Sequence, residues 1–179
     1  MEYAVPILDR LGVPATMFAP TSFMGGGQRL VWPGIDHWAT GQHAGELAAM
    51  AWSDCRALIA RGWEIGSHTV SHPRLTGLNE LALSAELSRS REECTEQLGV
   101  ECRTIAYPYG DVDGRVIAAT QAAGYDAAAR LSSDLGGTDP YSFPRVGIYR
   151  RDSGPRIWLK TARTVRQIRA TPAWRRMRG

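Results

Sequence analysis

A chain of 179 residues, 44% hydrophobic and 22% charged, has the size and composition of one globular domain with a substantial core, which argues against a second full domain. No stretch approaches the roughly 18 to 20 continuous apolar residues that span a bilayer, because Arg, Glu or Gly interrupts even the Ala-rich segments. The net charge of +3 conceals an asymmetry: residues 145–179 hold eleven Arg and Lys against the single acid Asp152, whereas residues 1–144 hold ten against seventeen.

In chain order, Val5, Leu8 and Leu11 form a helical stripe that Gly12 terminates. The run Ala15-Thr16-Met17-Phe18-Ala19, set between Pro14 and Pro20, predicts a buried strand. Residues 25–45 predict a long glycine-rich loop carrying Trp32 and Trp38, and long loops in small domains tend to be functional or disordered. A helix is expected from Ser53, as its N-cap, to Ala60, with a strand over 63–67 directly after the Gly62 stop. Asn79 predicts the cap of a helix reaching Leu98, with Leu83, Leu87, Cys94 and Leu98 inward and Gly99 at its end. A strand over 103–109, a helix over 112–123 and strands over 125–131 and 143–149 follow. A single basic helix is expected over 156–169, with Pro172 beyond it. Strands alternating with helices predict a parallel α/β sheet or barrel, folds that place chemistry on loops at the carboxyl ends of strands.

Cys55, Cys94 and Cys102 are odd in number and form no Cys-x-x-Cys pair, so free or buried thiols are expected rather than a zinc knuckle or disulfide framework. The opening Met1-Glu2-Tyr3 has neither the basic nor the apolar region of a secretory signal, and a cytoplasmic location is the expectation. In the basic helix Trp158, Ala162, Val165 and Ile168 alternate with Arg156, Lys160, Arg163, Arg166 and Arg169. That pattern suits either packing on the domain or peripheral contact with an anionic membrane. No base-reading or aromatic-interleaved motif accompanies the charge, so nucleic acid is not expected as a partner.

The sharpest chemical signal is His68-Thr69-Val70-Ser71-His72-Pro73, which follows a predicted strand. A local turn places i and i+4 on one face, so both imidazoles would reach one cation at about 2.0 to 2.1 Å. The spacing alone also suits an exposed or structural pair. Ala106-Tyr107-Pro108-Tyr109-Gly110 reads as a tight turn after another strand. The loop Trp32-Pro33-Gly34-Ile35-Asp36-His37-Trp38 combines aromatic faces that stack on sugar rings with an acid, and reads equally as a hydrophobic clasp. His43 has no partner pattern and is expected to be solvent-exposed.

The block from Trp63 through His68, His72 and Pro73 to Thr76 resembles the polysaccharide deacetylases that share the NodB homology domain, whose second motif is His-[Ser/Thr]-x-x-His-Pro. The turn at Tyr107, Pro108 and Tyr109 is similar to their third motif, with Ala106 standing where that motif often has Arg. The resemblance covers about residues 1–150 and implies a distorted (β/α) barrel. It implies that His68 and His72 are two of three protein ligands to a divalent metal, usually zinc. It also implies that the backbone N–H of Tyr109 helps hold a developing oxyanion. Tyr107, Pro108, Arg145, Trp32 and Asp36 are the candidate substrate-binding residues.

The family's first motif, Thr-Phe-Asp-Asp-Gly, has no counterpart: no Asp-Asp pair occurs in the chain, and no histidine follows His72 to match the family's late Leu-x-His. The expectation is therefore a deacetylase-like domain over 1–150 that lacks its first strand, followed by a basic helix and tail over 151–179. Its activity would be metal-dependent removal of acetyl groups from N-acetylated sugars, weak or absent in the chain as numbered. The alternative is an inactive carbohydrate-binding or interaction module on the same fold. His68, His72 and Tyr109 are expected in one cleft.

Overall fold

The computed structural model describes residues 2–25, 27–132, 139–149 and 151–170. Five strands, β1 (Thr16–Ala19), β2 (Glu64–Ser67), β3 (Thr104–Ala106), β4 (Ala127–Leu131) and β5 (Phe143–Arg145), pair in parallel and in chain order, with β1 and β5 at the edges. Between them run α1 (Ala4–Leu11), which leads into β1, α2 (Trp52–Ile59), α3 (Glu80–Leu98) and α4 (Gly114–Ala122); α5 (Gly154–Thr161) and α6 (Arg163–Ala170) close the described chain. An order that advances one strand per helix is the pattern of successive βα units with crossovers of one hand.

The elements form for local reasons. Gly12 and Gly99 end α1 and α3 at φ of 62° and 68°, and the Asn79 side chain accepts from the Ala82 N–H at 2.9 Å to start α3. At α2 the cap differs from expectation: Ser53 lies inside the helix, and Asp54 reaches back to accept from the Ala51 N–H at 2.9 Å. The strand expected over 143–149 stops at Arg145. β4 ends at Leu131, and after the Ser132 N–H bonds to the Arg145 carbonyl at 2.9 Å, residues 146–149 have no strand to pair with among the described residues. The single basic helix is two, α5 and α6, broken where Ala162 takes an extended ψ of 122°. Pro172 and the tail lie outside the described residues.

The core lies between the sheet and α2, α3 and α4. Leu83, Leu87, Cys94 and Leu98 bury the expected stripe of α3 against Ile65, Ile105, Val116 and Tyr125, each large apolar side chain contributing about 1.5 to 3 kcal/mol. The three cysteines are free and buried. Burial, reinforced by the neighbouring Asp54, pushes the Cys55 thiol up to about 11. A hydroxyl cluster crosses the same layer: Ser90 Oγ lies 2.8 Å from Ser67 Oγ and 3.1 Å from the Tyr125 hydroxyl, tying α3 to the end of β2.

Gly66 sits in β2 where strands and side chains crowd. A Cβ there would lie 2.6 Å from Thr104 Oγ1 and 2.7 Å from the Phe18 ring. Gly66→Ala is therefore expected to destabilise the fold by about 1 to 3 kcal/mol, read as a lower urea midpoint with an unchanged slope.

Candidate active site

The carboxyl ends of β1, β2 and β3 converge on one loop, residues 68–72, which leaves β2 directly. Its backbone is strained: Thr69 and His72 both adopt left-handed φ, 68° and 59°, a conformation that costs about 1 to 3 kcal/mol for such residues. The surroundings fix it from every side. The Thr69 and Val70 carbonyls accept from the Thr21 and Ser22 N–H groups beyond β1, each at 3.0 Å. The Thr69 N–H donates to Ser67 Oγ at 3.1 Å, and Thr69 Oγ1 accepts from the His72 N–H at 3.1 Å.

From α3, the Glu86 carboxylate accepts from the Val70 and Ser71 N–H groups at 2.8 and 2.9 Å and from the Ser71 hydroxyl at 2.6 Å. Downstream, Asp111 accepts from the Thr76 N–H and hydroxyl, and Arg115 donates to the Thr76 and Leu78 carbonyls. Sequence reading missed Glu86. Its signal was there: Glu86 and Ser90, one turn apart, are the polar members of an arc otherwise occupied by Leu83, Leu87 and Cys94.

The two imidazoles are brought together, with ring centroids 4.7 Å apart at 74°. His68 Nδ1 lies 2.6 Å from the Ala106 carbonyl, which as an acceptor assigns the proton to Nδ1 and leaves the Nε2 lone pair free. His72 is 6% exposed and its Nδ1 is buried without a partner. Burial holds both imidazoles well below their usual range, at about 4, so both are neutral at pH 7. For His68 the Ala106 carbonyl opposes the shift, and His72 and Arg145 add to it.

Two neutral, convergent nitrogen donors suit a borderline divalent cation. Two donors alone would not complete a metal site, which normally takes three or four protein ligands. Among the described residues no group of three His, Cys, Asp or Glu could hold a metal, and Asp36 does not join the pair: its carboxylate accepts from the Gly34 N–H at 3.1 Å within its own turn.

Tyr109 completes the cleft. β3 ends at Ala106, three residues earlier than expected, because Pro108-Tyr109-Gly110 turns with Tyr109 at φ 58° and Gly110 at φ 72°. The Tyr109 ring lies 4.7 Å from that of His72, and the Arg74 guanidinium sits 4.5 Å from its centroid. Pro108 is buried in the cleft wall. Tyr107, expected at the substrate, is fully buried and donates its hydroxyl to the Tyr141 carbonyl at 2.9 Å. A side chain so enclosed cannot touch a solute and acts by supporting the wall.

Arg145 reaches the site from β5. Its Nη2 lies 3.4 to 3.5 Å from the Ala129 and Tyr107 carbonyls, its Nε is buried without a partner, and burial lowers its pKa.

The long loop forms a cover. Its stem is closed by the Leu30 N–H on the Leu47 carbonyl at 2.7 Å and the Ala49 N–H on the Gln28 carbonyl at 3.0 Å. The Trp32 ring stacks on His72 at 3.9 Å and 19°, and the Tyr109 hydroxyl donates to the Pro33 carbonyl at 3.3 Å. His43, expected free in solvent, is half-buried and lies 2.7 Å from the Glu46 carboxylate. A separate cleft of about 880 Å³, lined by His37, Trp38, His43, Glu46, Tyr149 and Arg151, shares no lining residue with the histidine pair.

A parallel α/β sheet with an imidazole pair and a Pro-Tyr-Gly turn at its carboxyl edge defines the class to which comparison then gives a family. A family model described as polysaccharide deacetylase matches residues 1–128. The chain belongs to the polysaccharide deacetylase family. It is 44% identical over 55 residues to chitin deacetylase 1 of Cryptococcus neoformans var. grubii, a stretch that is 31% of this chain and 12% of that protein. Two solved structures share the fold at 18% identity over 89% of this chain. One is the deacetylase PplD of Streptococcus pyogenes in complex with acetate (TM-score 0.67, 63% of its length covered), and the other a de-N-acetylase from Aggregatibacter actinomycetemcomitans (TM-score 0.69, 69% covered).

Glu86 tests how the site is held. Glu86→Ala leaves the part-buried Val70 N–H unpaired and hands the exposed Ser71 donors to water, and is expected to lower stability by about 1 kcal/mol, with displaced NMR signals from the His68 and His72 rings. Glu86→Gln retains one acceptor oxygen and should recover part of both effects.

Proposed function

We propose that this site removes acetyl groups from N-acetylated sugars of a polysaccharide or glycan precursor, with the aid of a divalent metal, zinc being the best match to two imidazole donors. The observation that carries the proposal is the neutral imidazole pair, with His68 pinned by the Ala106 carbonyl and packed on His72, whose ring in turn lies against Tyr109. In the overall reaction water adds to the acetamide carbonyl, the C–N bond breaks, and acetate and a free amine leave.

His68 and His72 would hold the cation, which when bound polarises a carbonyl and makes water more acidic. The Tyr109 backbone N–H is the donor for the developing oxyanion, a role in which one donor is worth about 3 to 4 kcal/mol. The buried Arg145 guanidinium supports negative charge in the same cleft. Trp32 supplies an aromatic face for a sugar ring, and Asp36, on the same loop, a hydrogen-bonding group at the substrate's edge. The proton transfers have no matched residue: the chain has neither an Asp-Asp pair nor a histidine after His72. The chain as numbered is therefore expected to bind metal weakly and to turn over slowly or not at all.

A second reading, a carbohydrate-binding module without catalysis, is favoured by one observation, the absence of a third metal-holding group among the described residues. Calorimetric titration with zinc separates the two. The first reading expects one weak site that disappears in both His68→Ala and His72→Ala. No zinc binding, with unchanged affinity of both variants for an N-acetylated oligosaccharide, would establish the second. Trp32→Ala should weaken that oligosaccharide's binding about three- to tenfold, the worth of one aromatic stack.

A further inference from the structure

Helix α5 turns its apolar arc away from the domain. Pro155, Trp158 and Leu159, at i, i+3 and i+4, share one side of the helix, and all three are exposed, Trp158 at 66% and Leu159 at 45%. The opposite side is the one tied down. Lys160 donates to the Gly147 carbonyl at 3.0 Å and pairs with Asp152, and Ile157 is half-buried. An amphipathic helix on a globular domain normally shows the reverse arrangement. Ile148, in the segment that Lys160 holds, adds a further apolar side chain at 50% exposure.

The sequence that carries this face is strongly basic. Residues 151–170 contain six Arg and Lys and a single acid, Asp152. Asp152 is withdrawn from the surface: its side chain is 4% exposed and ion-paired with both Arg156 and Lys160. Arg156 itself is 66% exposed beside the apolar arc. An exposed Trp and Leu beside the exposed Arg156, on a segment of strongly basic sequence whose one acid is buried, match a lipid surface with anionic headgroups, where the apolar side chains enter the headgroup boundary and the guanidinium meets phosphate. Duplex nucleic acid would satisfy the charge and leave the Trp158 and Leu159 faces wet. A second copy docking through the same face would set cations against cations.

We propose that α5 is a membrane-surface anchor that docks this chain on an anionic bilayer through Trp158 and Leu159. This is independent of the proposed chemistry.

The test is co-sedimentation of the whole 179-residue protein with phosphatidylcholine vesicles, with and without phosphatidylglycerol, at near-physiological salt. Binding is expected with phosphatidylglycerol, at least roughly tenfold weaker without it, and weaker again as salt is raised. The Trp158→Ser, Leu159→Ser double variant changes two exposed side chains, so its circular dichroism should be unchanged, and its partitioning is expected to fall about tenfold. Three outcomes would overturn the proposal. One is the absence of binding to anionic vesicles. Another is binding that the double variant leaves intact, which would mean adsorption by charge alone. The last is self-association that the double variant abolishes without any vesicle binding, which would make the face an interface between copies.

Discussion

The strained loop between His68 and His72 is the constraint on which the site rests. A β-branched threonine at φ 68°, fully buried, is an unfavourable conformation for an isolated chain. It persists because bonds from three directions leave it no alternative: carbonyls of 69 and 70 on the turn after β1, amides of 70 and 71 on Glu86, and the Thr69 hydroxyl on the His72 amide. A parallel sheet with adjacent β1 and β2, backed by α3, brings the two outside partners to the loop, and the Thr69–His72 bond closes it from within. The fold thus acts on the site by over-determining five residues, and the convergence of the imidazoles follows from it.

Electrostatics make a second, related point. Burial keeps both imidazoles uncharged near pH 7, which preserves two lone pairs within one small space. The same burial surrounds Arg145, whose cation leans on carbonyl oxygens and on the Phe18 ring face, 5.6 Å from its centroid. Carbonyl dipoles and an aromatic face offset the desolvation of a guanidinium less completely than a carboxylate would. The cleft is therefore biased toward negative charge, which in the proposed reaction the acetyl carbonyl would acquire and acetate would retain.

Much of this was legible in the sequence. Apolar periodicity and glycine stops placed α1, α3 and the central strands, since burial and αL caps are local properties of the chain. The His-Thr-x-x-His-Pro block located the imidazole pair through its likeness to a family. Part of what escaped depended on partners distant in sequence. The length of β5 is set by where β4 ends. Two misses were local instead. The α2 cap came from Asp54, inside the helix, reaching back to the Ala51 N–H rather than from Ser53. Tyr109 takes a left-handed φ although Gly110 follows it, so the obvious glycine did not mark the whole turn. Tyr107, adjacent to the motif's proline, points into the core because strand alternation sends it away from the cleft.

Trp32 links the cover loop to the chemistry in a way that neither feature suggests alone. Its ring lies flat on His72, so the face in contact is not simultaneously available to a sugar. A pyranose can stack there only if the indole moves or offers its other face. Aromatic pairs of this kind contribute about 0.5 to 1.5 kcal/mol, a few times thermal energy at most, so the contact opens readily and a sugar competing for either ring face would displace it at small cost. The stem at residues 28–30 and 47–49 is pinned to itself, which confines any such movement to the span between. A ring that shields His72 in the free protein and yields to a sugar would keep the imidazole dry until substrate arrives, and a dry imidazole is the condition under which its lone pair and the neighbouring backbone donor act most strongly.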